Sequence, residues 1–400
     1  MSILLVAAIA ITGPVQHAPP PPVVLHQREA GPHAVRVDRP QQQQLARWIM
    51  RPVFCDGSAT PGGTVQAVVR EPDPQRFLTW TRLEPHRTLT LELRIDASGR
   101  PLSIRKRTMS EADYVPDAQD IMPALAASRF VAGAERTGCV ATFVVDARAI
   151  ADAAVADLMA YTMFPGGAPP KAIWDRIIPS GSTCNNPAPD VLLRAYPAFR
   201  AMPDQPGYTT WSMTGYDVDR SGKPRNVRTL AGTNTPALDR ASREAVAKSR
   251  FEPGARVGCF YPYYKNGTTL APPPAPEEDA MRPAGATCPA ERNWDRPPVL
   301  IYPAAYRRRS IEGWAIVTYD VAPWGQTGNV RVVKAEPSAD FGDAAAAMIR
   351  NATFKNGGSG YVGCVDRVLY VIRKPGAPVS PGGAEAAVDR DITPRVSDGG

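Results

Sequence analysis

The sequence predicts an α+β chain of three repeated small modules, each a three-stranded antiparallel sheet with one covering helix, in the order strand, strand, helix, strand. Two observations carry this expectation: a hairpin pattern that occurs three times, and six cysteines whose successive spacings nearly repeat. At ~150 residues per domain, 400 residues suffice for two or three domains. Apolar residues at 44% and charged residues at 21% fit a soluble globular chain rather than a disordered or collagenous one. Proline, 43 of 400, is about twice as frequent as usual, which suits short strands, turns and linkers.

The hairpins come first. Residues 93–105, 216–228 and 319–331 align without a gap: alternating apolar residues, an Asp, then Gly99, Gly222 or Gly325 where a tight connection needs positive φ, then a second alternating stretch. A helix ending in a Phe should follow. Gly222 and Phe251 are 29 residues apart, as are Gly325 and Phe354, whereas Gly99 and Phe130 are 31 apart. Phe341, Ala344, Met348 and Ala352 share one helical face, and Leu238, Ala241, Ala245 and Ser249 take the same positions earlier. Thr235-Pro236 is a good helix start, while Pro123 should break or kink the first helix. Each helix leads through Gly138-Cys139, Gly258-Cys259 or Gly363-Cys364 into a last strand, clearest over 364–372, where Val365, Arg367, Leu369 and Val371 alternate with Asp366, Val368, Tyr370 and Ile372.

Cysteine spacing fits the same phasing. Cys55 and Cys139 are 84 apart, Cys184 and Cys259 75 apart, Cys288 and Cys364 76 apart. Six cysteines allow 15 connectivities, and the phasing selects these three disulfides, each tying the segment before the first strand to the start of the last. A clamp closing so long a loop suits a module with a small core.

Outside the modules, Ser2 to Ile11 is an apolar run broken by Thr12-Gly13-Pro14, the length of a signal-peptide core, either cleaved or kept as a short anchor. Association with a membrane would run through this leader alone. Asp146 to Phe164 resembles a helix with Ile150, Ala154, Leu158 and Met159 as its stripe. The expected order is 1–18 signal peptide or short anchor, 19–46 Pro/Gln-rich spacer, 47–148 degenerate first module, 149–170 connecting helix and linker, 171–268 second module, 269–284 Pro-rich linker, 285–376 third module, and 377–400 disordered tail.

Composition excludes several functions. A net charge of +7 spread over the chain, with no basic block longer than Arg307-Arg308-Arg309, gives nucleic acid no footprint. The four histidines all precede residue 87, no Gly-Xaa-Ser-Xaa-Gly elbow exists, and Glu277-Glu278-Asp279 lies in a linker and reads as solvated, so an enzyme is not expected. No two cysteines are close enough for a zinc ligand pair, and neither metal nor cofactor is expected. Phe260-Tyr261-Pro262-Tyr263-Tyr264 would suit a binding surface as well as a core.

Residues 285–375 resemble the C-terminal domain of the TonB energy-transducer family. The likeness rests on Tyr302-Pro303 opening a short helix, Gly313 leading into the first strand, a turn closed by Gly325, Asn329-Val330-Arg331-Val332-Val333, and the helix running to Phe354. Residues 180–265 keep Tyr196-Pro197, the hairpin and Ser249-Arg250-Phe251; residues 47–148 keep the hairpin, Ser128-Arg129-Phe130 and the last strand. The resemblance implies a periplasmic protein of a Gram-negative bacterium that adds an extended segment of an outer-membrane receptor beside its last strand, here Val365, Arg367, Leu369 and Val371, with a link to TonB-dependent transport. The alternative is an envelope structural or adaptor protein that binds protein or glycan and has no transport role.

Overall fold

Apolar alternation on both sides of a glycine turn gives three antiparallel hairpins, each followed by a helix and a longer strand. The computed structural model describes residues 43–55, 63–80, 88–107, 118–185, 187–355, 358–372 and 385–387. The expected leader and most of the spacer lie outside the described residues.

In the first region β1 (Gln44–Met50), β2 (Val53–Cys55), β3 (Thr64–Gln66), β4 (Val68–Arg70) and β5 (Phe77–Thr79) precede the hairpin of β6 (Thr88–Ile95) and β7 (Pro101–Lys106). Helix α1 (Ile121–Ala127), β8 (Arg129–Phe130) and β9 (Arg136–Ala149) follow. Pro123 does not break α1, because it falls in the first turn, where a missing N–H costs nothing. Helices α2 (Val155–Met163) and α3 (Lys171–Ile177) lead to the second region: β10 (Val191–Leu193), β11 (Thr210–Val218), β12 (Pro224–Gly232), α4 (Pro236–Lys248), β13 (Arg250–Phe251) and β14 (Arg256–Lys265). The third region has β15 (Trp294–Arg296), α5 (Ala304–Arg308), β16 (Gly313–Val321), β17 (Thr327–Glu336), α6 (Ala339–Arg350), β18 (Thr353–Phe354) and β19 (Tyr361–Val371). Then comes β20 (Glu385–Ala387).

One close contact sets the shape of all three regions. The amide of Phe130 donates to Gly99 at 2.8 Å, that of Phe251 to Gly222 at 2.9 Å, and that of Phe354 to Gly325 at 2.8 Å. Each glycine has φ between +79° and +89°. A Cβ there would lie 2.0 Å from the Phe130 carbonyl oxygen, 2.0 Å from that of Phe251 or 2.2 Å from that of Phe354, so only glycine fits. Asp96 and Asp219 brace the first two turns by accepting from the amides and hydroxyls of Ser98 and Ser221; Ala322 holds that place in the third. Disulfides Cys55–Cys139, Cys184–Cys259 and Cys288–Cys364 tie the start of each last strand to the segment before the hairpin, the pairs that the spacing predicts.

Several expectations are corrected. Only the second region has a plain three-stranded sheet, β12-β11-β14; the first is seven-stranded and the third four-stranded. The extra strands in the first come from its own N-terminal segment: β1 pairs with β9 from Gln44–Ala149 to Met50–Phe143. That pairing keeps 146–149 extended, so the helix expected over Asp146 to Phe164 begins only at Val155. Tertiary pairing outweighs local preference here. Residues 269–284 are not a free linker either. Leu270 is buried and exchanges backbone hydrogen bonds with Ser310 and Glu312, and Ala275 and Met281 pack against Trp314, Ile316 and Val365. The cause is two-sidedness: α6 covers one face of the β16–β19 sheet and leaves the other to be covered. Residues 385–387 of the expected disordered tail form β20; the rest of 377–400 lies outside the described residues.

The first and third regions share one core, in which Leu91, Ile104 and Leu125 join Tyr306, Phe341 and Ile349. Two charged groups, one buried and one half-buried, pin it. Glu336, fully buried, accepts from Arg94 at 3.0 Å and from the amide and hydroxyl of Ser103 at 2.7 Å. Arg309 reaches across to Asp120 and to the carbonyl of Asp73. The second region joins through Trp211 and Met213, which pack with Leu45, Leu158 and Ile173. Its own core is smaller and more polar: Ser212, Thr214 and Ser242 are fully buried, and their hydroxyls have no partner among the described residues.

Two outcomes follow from this packing. Gly222→Ala forces its new methyl into the Phe251 carbonyl, and the variant should lose at least about 2 kcal/mol in denaturant unfolding; an unchanged midpoint would show that the turn can relax away. Thr214→Val removes an unpaired buried hydroxyl at nearly constant volume, and the same measurement should show a gain of about 1 kcal/mol. A loss instead would mean that the hydroxyl has a partner.

Candidate functional site: the outer edge of the last strand

Strand β19 lies between β16 and the outer side of the third sheet. Its inner register runs from Gly313–Tyr370 through Ala315–Val368 to Tyr319–Cys364. Alternation sends Cys364, Val368 and Tyr370 into the core beneath α6, where the Tyr370 hydroxyl donates to the Phe341 carbonyl at 3.0 Å. Val365 and Leu369 go to the opposite face, beside Trp314 and Ile316.

The residues that carry the family likeness hold this strand from behind rather than line its edge. Tyr302 is buried and donates to the Ile311 carbonyl at 2.7 Å; Pro303 caps α5. Gly313 faces the Phe341 ring, which a Cβ would meet at 2.6 Å. Asn329, at φ +51°, donates to Asp320, whose other oxygen accepts the Gly363 amide at 2.9 Å, so the hairpin fixes the start of β19. Asn226 and Asp217 repeat the device, with Asp217 accepting the Gly258 amide. Phe354 is buried against Trp294.

Along the outer edge the predicted residues do come together in one strand, but their backbone groups are not bare. Arg292 Nη2 donates to the Val365 carbonyl at 2.7 Å. The Arg367 amide donates to Glu278 Oε2 at 3.4 Å. Beside Leu369 to Val371 runs β20, in parallel. Cys288 anchors the segment that carries Arg292. Arg292 also contacts the Pro289 carbonyl and donates to Asp366 at 3.1 Å, and Tyr319 donates to the second Asp366 oxygen at 2.9 Å.

The electrostatics of this cluster follow from burial. Burial opposes the Arg292 charge, yet Asp366 and Tyr319 more than offset it and raise its pKa. For Asp366 burial wins over the help from Arg292 and Tyr319, and its pKa is raised. Burial also raises that of Tyr319.

Arg292 and Glu278 escape a reading by sequence alone. Glu277 is exposed, as its solvated reading expects, and lies 3.3 Å from Arg367, whereas Glu278 is half-buried and pairs with Arg292 at 3.5 Å. Nothing in a short acidic run shows which backbone it will cap; the one usable hint is the position of Arg292 four residues after Cys288.

The corresponding edges of the other two regions are closed differently. On β9 the outer side is filled by β1, and the Arg51 amide continues the ladder to the Thr142 carbonyl at 2.8 Å. On β14 the partner of Met213 is Pro262, which has no N–H to offer, whereas on β19 the partner of Ile316 is Arg367. A proline inside a paired strand fits only where its nitrogen faces outward, so Pro262 blunts the β14 edge. The aromatic cluster around it splits: Tyr263 is buried and donates to the Ala195 carbonyl, while Tyr264 is exposed.

Among the described residues no helix is long and apolar enough to cross a membrane, and no group of acidic, histidine or cysteine side chains could hold a metal ion. No curated protein matches the chain. Residues 298–379, which include α5, β16, β17, α6, β18 and β19, match the family model of the Gram-negative bacterial TonB protein C-terminal; it is one copy, and it lies in the third region.

Proposed function

We propose that this is a periplasmic TonB-like protein of the Gram-negative envelope, and that its third region binds an extended segment of an outer-membrane receptor along the outer edge of β19. The first and second regions are divergent copies of the same module, which serve as a rigid mount. The family match over 298–379 supports the envelope setting. The observation that carries the binding reading is β20: a strand laid beside Leu369, Tyr370 and Val371 marks that edge as one that takes on a further strand. Backbone pairing gives such a site generic affinity, and the half-buried side chains of Arg367 and Leu369 choose among sequences. Chemistry is not part of this function; the protein acts by binding.

The other two edges bear on the rival reading. With β9 filled by β1, its edge can take a strand only if β1 leaves, and on β14 Pro262 removes an outward donor that a partner strand would use. Among the last strands of the three regions, β19 is the one whose outer edge is met by side chains and a three-residue strand, which fits a receptor-binding protein, and an envelope adaptor would need another surface.

Titration of the full-length, oxidised protein with synthetic peptides copying N-terminal segments of outer-membrane receptors from the same organism tests this. Binding is expected in the micromolar range. Arg367→Pro should weaken it at least tenfold by removing an outward donor, and the fold should survive because Pro262 occupies the same register on β14. If no peptide binds below about millimolar, the receptor reading fails and the adaptor reading takes its place.

A further inference from the structure

The N–H and C=O of one strand residue point to the same side, and successive residues alternate. Val365 sends its carbonyl outward to Arg292 and Arg367 its amide outward to Glu278, so the outward groups of β19 belong to residues 365, 367, 369 and 371. The last two fall where β20 runs, in the register Leu369–Glu385, Tyr370–Ala386 and Val371–Ala387. These four are the residues that the alternation in the sequence assigns to a bound peptide, and this chain's own segments meet all of them.

We propose that β20, together with Glu278 and Arg292, is an intramolecular cap on the β19 edge, which an incoming extended segment displaces. The proposal rests on the reading of β19 as a peptide-binding edge and adds its regulation. Three features make this cover exchangeable where the cover on β9 is permanent. Strand β1 is seven residues long and antiparallel, whereas β20 is three residues long and parallel, the less stable pairing per residue. Glu385-Ala386-Ala387 is built from residue types depleted in strands. The bond from Arg367 to Glu278, at 3.4 Å, is longer than a strong N–H···O bond. A tethered segment competes at high local concentration even when it pairs weakly. The apparent affinity of a partner is then lowered by the fraction of time that the edge is uncovered.

The test compares the full-length oxidised protein with the same chain ending at Gly376, and with the full-length Ala386→Pro variant. Amide hydrogen exchange at Leu369 and Val371 should be slow in the full-length protein and faster in the other two, with Val368 and Tyr370, which face β16, unchanged. A synthetic peptide copying residues 377–400, added to the truncated protein, should restore protection. Truncation should tighten binding of the receptor peptides by about threefold to tenfold, as expected if the edge is covered for most of the time. Equal exchange at Leu369 and Val371 in all three proteins overturns the cap without reference to any receptor. Equal receptor-peptide affinity in the full-length and truncated proteins overturns its regulatory role. Restored protection by the tail peptide with no receptor peptide bound by either protein overturns the receptor reading instead, and leaves β20 a fourth strand of the sheet.

Discussion

The contact of a left-handed glycine with the amide of a phenylalanine holds each region together, because it joins the hairpin tip to the end of the helix. Gly99, Gly222 and Gly325 give up a side chain so that Phe130, Phe251 and Phe354 can approach. With that distance fixed, the helix lies across the hairpin, the Phe ring enters the core, and the chain emerges where the last strand must begin. The disulfide then ties that strand to the segment before the hairpin. What varies among the regions is what happens afterwards, on the outer side of the last strand.

An open strand edge carries unpaired N–H and C=O groups that invite another chain. This protein answers that liability in three ways: a long antiparallel strand on β9, a proline on β14, and side chains plus a short parallel strand on β19. The three differ in reversibility. Removing β1 would expose Leu45, Ala46 and Trp48, all buried, whereas Pro262 cannot be removed at all. On β19 the pairing with β20 is only three residues long, and Glu278 meets the edge through a single hydrogen bond from the Arg367 amide. The matched segment and this lightly covered edge fall in the same region.

Much of the fold is legible in the sequence because it is encoded locally. The turn glycines, the helix stripe with Phe341 and Met348, and the phased cysteines each sit within a short, repeating frame. The parts that are not legible are long-range. Gln44 to Met50 gives no sign that it pairs with a strand about a hundred residues later, and nothing local marks Asp146 to Ala149 as extended rather than helical. Of the candidate site, the strand Val365 to Val371 is readable from its alternation, but its surroundings are not. Arg292 and Glu278 gain meaning only when the chain brings them to the edge, and Glu385 to Ala387 has the composition of a non-strand.

The proline-rich stretch before the third region shows why composition alone misleads about flexibility. A sheet with one covering helix has two apolar faces and one cover, so Trp314, Ile316 and Val365 would stand in water unless something lay over them. Residues 270–281 do so, with the Trp314 indole donating to the Pro273 carbonyl at 2.7 Å and Arg367 to that of Pro276 at 3.3 Å. Proline suits the task, because an extended segment without a full set of N–H donors can lie on an apolar face and leave few groups unpaired. The same segment delivers Glu278 to the Arg367 amide. Packing on one face of the sheet thereby positions the carboxylate that meets its edge, and the cover of that face and the partner of the Arg367 amide are one piece of chain.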